Sequence, residues 1–213
     1  MSMPILHDYW RSSASYRVRI ALNLKRLAHE RVAVDLATGA QKAETYRARN
    51  PEGFVPVLEM EGVRLSQSLA IIQYLDTMIP EPPLLPDTPA ERAHVQALAM
   101  IVACDIHPLN NLRVLKYLSG VLGLEEEGRS AWVGRWISDG FAALQAQAAP
   151  RAGRFLFGDT PTLADICLVP QMYNARRFDV PLDAYPLLVR VDQAARELPA
   201  FAEAAPGRVA PAA

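Results

Sequence analysis

Five prolines fall within ten residues, at Pro80, Pro82, Pro83, Pro86 and Pro89. Proline has no backbone N–H to donate and clashes with the preceding turn, so neither a helix nor a central strand survives that density. The 213-residue chain is therefore expected to divide into an N-terminal part over 1–80, a stiff linker over 81–89 and a C-terminal part over 90–213. Hydrophobic residues make up 51% of it, enough for a substantial core. The formal net charge of −1 gives no global pull toward nucleic acid or an anionic membrane. No apolar run approaches the ~20 residues that span a bilayer. No basic segment followed by a long apolar one opens the chain, so no signal peptide is read.

The N-terminal part alternates strand and helix signals. Residues 4–10 read as a first strand and 15–27 as a helix, with Val18, Ala21, Leu22 and Lys25 on one face and Ile20, Leu24 and Leu27 beside it. Arg31-Val32-Ala33-Val34-Asp35-Leu36 alternates as a second strand, parallel to the first through a right-handed crossover. Residues 37–50 are polar, contain Gly39 and read as a short mobile helix or a loop. Asn50-Pro51 and Glu52-Gly53 are turn signals. Val55-Pro56 then opens a strand that pairs with Val63-Arg64-Leu65 through a turn at Glu61-Gly62. A proline there either makes a cis bond that turns the chain sharply, or is a trans proline opening an edge strand. A helix over Leu69–Leu75 follows, with Ser68 as its expected N-cap.

After the linker the pattern is helical. Thr88-Pro89-Ala90-Glu91 carries a cap, a first-position proline and a reciprocal glutamate. A long helix is expected over 90–119, kinked at Pro108. Asp105, His107, Asn110 and Asn111 form a polar cluster in its middle, which needs a partner, solvent or a ligand. Trp132 to Leu144 repeat at helical spacing, and Thr162-Leu163-Ala164-Asp165 is a capping box. The tail after about Ala200, rich in alanine and proline, is expected to be poorly ordered. Cys104 and Cys167 lie far apart, which fits a reducing cytosol with both as small core residues. The four histidines show no metal-ligand spacing, so no metal is predicted.

One stretch carries chemistry. Ser12, Ser13 and Ser15 sit where the first strand gives way to the helix. They serve as plain N-caps, or they complete an anion site from unpaired N–H groups, hydroxyls and the positive end of the helix dipole. Such a site lowers a thiol pKa, but Ala14 stands among the serines, so a thiol used here must arrive with a ligand.

Arg11-Ser12-Ser13-Ala14-Ser15-Tyr16-Arg17-Val18-Arg19 resembles the Ser-Ser-Cys-Ser-x-Arg-Val-Arg signature of zeta-class glutathione S-transferases, departing from it at Ala14. The resemblance extends over roughly residues 4–200. It implies a glutathione transferase fold: a thioredoxin-like domain in the order β-α-β-α-β-β-α over 1–80, and an all-helical substrate-binding domain over 90–213. It also implies that Ser12, with Ser13 beside it, stabilises the glutathione thiolate. Pro56 would be cis, with the Val55 backbone on the cysteinyl part, and Gln67 and Ser68 would hold the γ-glutamyl carboxylate. His107-Pro108-Leu109-Asn110-Asn111 resembles the family's His/Gln-Pro-Leu-x-Asn segment, which brings His107 and Asn111 to glutathione. Arg177, before Phe178, would bind a substrate carboxylate, and Arg11 would be a second clamp. The implied activity is glutathione-dependent cis–trans isomerisation of 4-maleylacetoacetate to 4-fumarylacetoacetate, by a cytoplasmic homodimer. The alternatives are the same chemistry on maleylpyruvate, conjugation of α-halo acids, and a non-catalytic binding protein of this fold.

Overall fold

The computed structural model describes residues 3–211. The chain forms two compact units. One holds the described residues of Met1–Pro83 and Glu197–Ala213, and the other is Leu84–Arg196. The division departs from the expected 90–213 helical domain, because the last segment groups with the sheet.

The first unit is built on four strands, β1 (Ile5–Asp8), β2 (Glu30–Ala33), β3 (Val57–Met60) and β4 (Val63–Ser66), in the spatial order β2-β1-β3-β4. β1 and β2 are parallel, with Leu6 opposite Arg31, as the intervening helix requires. β3 runs antiparallel to both β1 and β4, with Leu58 opposite Leu6 and Leu65. Helices α1 (Ser13–Leu24), α2 (Glu44–Arg47) and α3 (Ser68–Met78) complete the expected order, so the 37–50 segment contains a short helix. Both Val55-Pro56 and Glu81-Pro82 are cis.

Helix α1 is buried from Ser15 through Leu22, on every side rather than along one stripe. One side of α1 packs against α3. The other side is covered by the C-terminal segment, which forms α9 (Pro199–Ala204) and α10 (Pro206–Val209). Tyr16 donates its O–H to the Phe201 carbonyl at 3.3 Å, and Asn23 Nδ2 donates to Ala200 O at 3.0 Å. Phe201 and Ala204 are buried, so the tail is an ordered layer and not the loose end expected from its composition. Lys25 anchors the proline-rich stretch: its Nζ meets Asp76 at 2.7 Å and donates to the Pro82 carbonyl at 2.6 Å.

The second unit is helical. It comprises α4 (Pro89–Met100), α5 (Leu112–Gly120), α6 (Glu126–Ala148), α7 (Leu163–Arg177) and α8 (Pro186–Arg196). The long helix expected over 90–119 is broken. α4 runs into a π-helical turn over Ile101–Ile106, then a 3₁₀ turn over His107–Asn110, before α5 starts. Pro108 removes one i→i−4 bond, and the wider π turn absorbs the misfit. α6 presses against this turn at Gly140, where a Cβ would lie 2.3 Å from Ile106 Cγ1. The π turn also leaves Cys104 exposed, against the expectation of a core residue, whereas Cys167 is buried. Thr162 and Asp165 form the capping box of α7. No helix among the described residues is long and apolar enough to cross a membrane.

Candidate active site

The turn between β1 and α1 has its own internal bonding. Ser12 N–H donates to the Tyr9 carbonyl at 2.9 Å. The Ser12 side-chain oxygen accepts from Ser15 N–H at 3.2 Å and its carbonyl accepts from Tyr16 N–H at 2.9 Å. Ser12 is therefore the N-cap of α1. A hydroxyl has one donor and two acceptor sites, so the cap leaves its hydrogen available. Among the described residues, the N–H groups of Ser13 and Ala14 meet no protein acceptor. Two amides and one hydroxyl at the positive end of a buried helix make an anion site. Ser12, Ser13 and Ala14 are all half-buried, which leaves that site approachable.

Arg11 precedes this turn and is exposed. Its guanidinium lies 4.7 Å from the centre of the Trp10 ring and donates to the Tyr9 hydroxyl at 3.4 Å. The two aromatics hold the side chain in place without neutralising it.

Val55 is set by the loop before it. Tyr46 O–H donates to the Phe54 carbonyl at 2.7 Å, and Asn50 Nδ2 donates to the same oxygen at 3.0 Å. Burial pushes the Tyr46 hydroxyl up to about 12, so it stays protonated as a donor. A trans peptide points its N–H opposite to its carbonyl. With the Phe54 carbonyl held inward, the Val55 N–H faces the other way, and it meets no protein acceptor among the described residues. The Val55 side chain packs with Val34, Tyr46 and Val57.

Gln67 and Ser68 stand at the start of α3, but their parts differ from expectation. Gln67 occupies the cap position, at φ 67°, and Ser68 is the first helical residue. A positive φ at a residue with a Cβ costs on the order of 1 kcal/mol. The Gln67 amide is tied to Glu52 Oε1 at 2.9 Å. The Ser68 hydroxyl is buried and accepts from Arg17 Nη1 at 3.4 Å. The buried Arg17 thus joins α1 to the first turn of α3, a link that sequence reading missed; its signal was an arginine on an otherwise buried helix.

In the helical unit, His107 opens the 3₁₀ turn and Asn111 caps α5, accepting from Arg113 N–H at 3.2 Å through Oδ1. Asn110, between them in the polar cluster, is 7% exposed, and both its amide atoms lack a protein partner among the described residues. The adjacent arginines at the end of α7 have separate tasks. Arg176 meets the buried Asp192 at 2.6 Å. Arg177 is exposed, with its guanidinium 4.8 Å from the centre of the Phe178 ring.

The glutathione S-transferase N-terminal domain matches residues 6–83, and the glutathione S-transferase C-terminal domain matches residues 129–207. The chain belongs to the glutathione S-transferase family. Within that family it is similar to zeta-class isomerases. It is 50% identical over 208 residues to a maleylacetoacetate isomerase of Rhizobium meliloti, covering 97% of this chain and 98% of the relative. A maleylpyruvate isomerase, described as a bacterial glutathione S-transferase in the zeta class, superposes with a TM-score of 0.96 at 48% identity, covering 98% of this chain and 100% of that one. A maleylacetoacetate isomerase of Methylobacterium extorquens, solved with malonate and GSH bound, gives a TM-score of 0.94 at 38% identity, covering 98% and 99%.

Proposed function

We propose that this chain is a glutathione-dependent cis–trans isomerase that converts 4-maleylacetoacetate to 4-fumarylacetoacetate. The supporting observation is the β1–α1 turn, where among the described residues the Ser12 hydroxyl hydrogen and the Ser13 and Ala14 amides are left without protein acceptors. These donors suit a thiolate better than a thiol, and the turn has no cysteine of its own. When bound, glutathione supplies a thiolate that adds to the cis double bond, permits rotation and is eliminated, so that it is not consumed.

The chain's own residues do the rest. Ser12, with Ser13 beside it, holds the sulfur in its ionised form. The outward Val55 N–H takes the cysteinyl carbonyl, and Gln67 and Ser68 take the γ-glutamyl carboxylate at the α3 N-terminus. His107 and Asn111 contribute further contacts to glutathione. Arg11 and Arg177 hold the substrate carboxylates, for which a planar guanidinium is suited. They also stabilise negative charge that develops on the substrate carbonyl oxygen. The protein works as a cytoplasmic homodimer in tyrosine and phenylalanine breakdown.

Likeness to a bacterial maleylpyruvate isomerase supports a second reading, the same chemistry on maleylpyruvate. Titration calorimetry with glutathione tests the binding half of the proposal. Wild type binds, Ser68→Ala binds more weakly, and Arg177→Ala binds as wild type does. Equal affinity of wild type and Ser68→Ala would remove Ser68 from the site.

A further inference from the structure

Below the serine turn lies a buried guanidinium. Arg19 is 1% exposed. Its Nη1 donates to both oxygens of Asp8, at 2.9 and 3.0 Å. Its Nε donates to the Ala204 carbonyl at 2.9 Å, and its Nη2 donates to the Trp10 carbonyl at 3.1 Å. Asp8 is fully buried and accepts a further bond from Arg31 Nε at 2.8 Å. The carboxylate fixes where the guanidinium sits, and the rigid fork fixes where its other N–H groups point.

The consequence lies one peptide further on. The Trp10 carbonyl is drawn inward onto Arg19. The Trp10–Arg11 peptide is trans, so the Arg11 N–H points the opposite way, out of the core. Among the described residues that N–H meets no protein acceptor, and it belongs to the same turn as the Ser12 hydroxyl. The Ser12 N–H to Tyr9 carbonyl bond closes the turn around this peptide, and the Arg19 bond fixes which way its carbonyl faces.

We propose that Arg19 is a positioning residue for thiol activation, and that it aims the Arg11 backbone N–H as a donor to the sulfur of bound glutathione. The proposal rests on the glutathione reading given above. The Ala204 carbonyl makes the C-terminal segment the third anchor of the same guanidinium. Lysine at this position keeps the charge, but its single ammonium group cannot reach Asp8, Ala204 and Trp10 in three fixed directions.

The first test needs no variant. In ¹⁵N-labelled wild type, the Arg11 amide proton is followed over pH with glutathione bound, and again with S-methylglutathione. It moves downfield as the thiol ionises, and shows no such step with the methylated ligand. The second test is Arg19→Lys, in which the ultraviolet absorbance of the thiolate reports the pKa of bound glutathione. Loss of one oriented donor raises that pKa by about one unit. A merely structural role would lower stability and leave the thiol pKa unchanged. An Arg11 amide blind to the thiol titration, or an unmoved thiol pKa in folded Arg19→Lys, overturns the proposal alone. Failure of wild type to bind glutathione overturns this proposal and the functional reading together.

Discussion

Ser12 accepts the backbone N–H of Ser15 through its side-chain oxygen at 3.2 Å, so one hydroxyl both caps α1 and keeps its hydrogen for a ligand. The two duties separate in measurement. Ser12→Ala loses the cap, at about 1 kcal/mol of stability. It also loses a donor to the developing thiolate, which lowers glutathione-dependent turnover by about 10²-fold. Ser12→Thr retains most of both. Urea midpoints and initial rates on the three proteins check this, and equal rates in folded Ser12→Ala would exclude Ser12 from the chemistry.

Adjacent arginines at the end of α7 give opposite outcomes. Arg176 neutralises Asp192, whose carboxyl burial pushes above the usual range while Arg176 pulls it back down. Arg176→Ala strands that buried carboxylate, with Arg196 at 3.6 Å as the remaining cation, and destabilises the protein by about 2 kcal/mol. Arg177→Ala raises KM for the dicarboxylate substrate, with KM for glutathione unchanged. Thermal melts and two-substrate kinetics on the pair check the assignment.

Asp165 gives a pH dependence with a definite sign. Complete burial raises its carboxyl to about 6, against the pull of the Leu156 and Thr162 donors. Its native pKa lies above its unfolded one, so its contribution to stability is full below the ordinary value of 3.8 and is lost as pH rises through about 6. Asp165→Asn cannot accept from both Leu156 N–H and Thr162 N–H, and is the less stable protein throughout. The gap between wild type and variant narrows by about 2 kcal/mol from pH 4 to pH 7, read from urea midpoints. A gap that widens over that interval would show that the capping donors outweigh burial.

Much of the fold was legible where its signals are local. The serines at the β1–α1 turn, the proline before β3 and the capping box of α7 each act within a few residues. The C-terminal segment was not legible: alanine and proline carry little periodic signal, and the partner of α9 lies some 180 residues away in sequence. The clue was on the partner. Arg17 and Arg19 fall within the helix yet are buried, because the tail supplies a carbonyl to Arg19 and Ser68 accepts from Arg17. Cys104 was misread because the π turn rotates residues away from the 3.6-residue period on which the expectation relied. The cap falls on Gln67 and not on Ser68, and no sequence rule places a glutamine at φ 67°.

The tail's role follows from Phe201, which is fully buried. Phe201→Ala opens a cavity beside α1 and costs about 3 kcal/mol. It also loosens the neighbouring Ala204 carbonyl, so amide exchange in α1 quickens along with that of α9. Exchange confined to α9 would show that α1 does not depend on the tail.

Isomerisation of maleylacetoacetate and maleylpyruvate, side by side, with and without glutathione, tests the central claim most directly. Faster turnover of maleylacetoacetate is expected, wholly dependent on glutathione that is not consumed. Turnover that proceeds without glutathione, or stoichiometric loss of its thiol into an adduct, would contradict it.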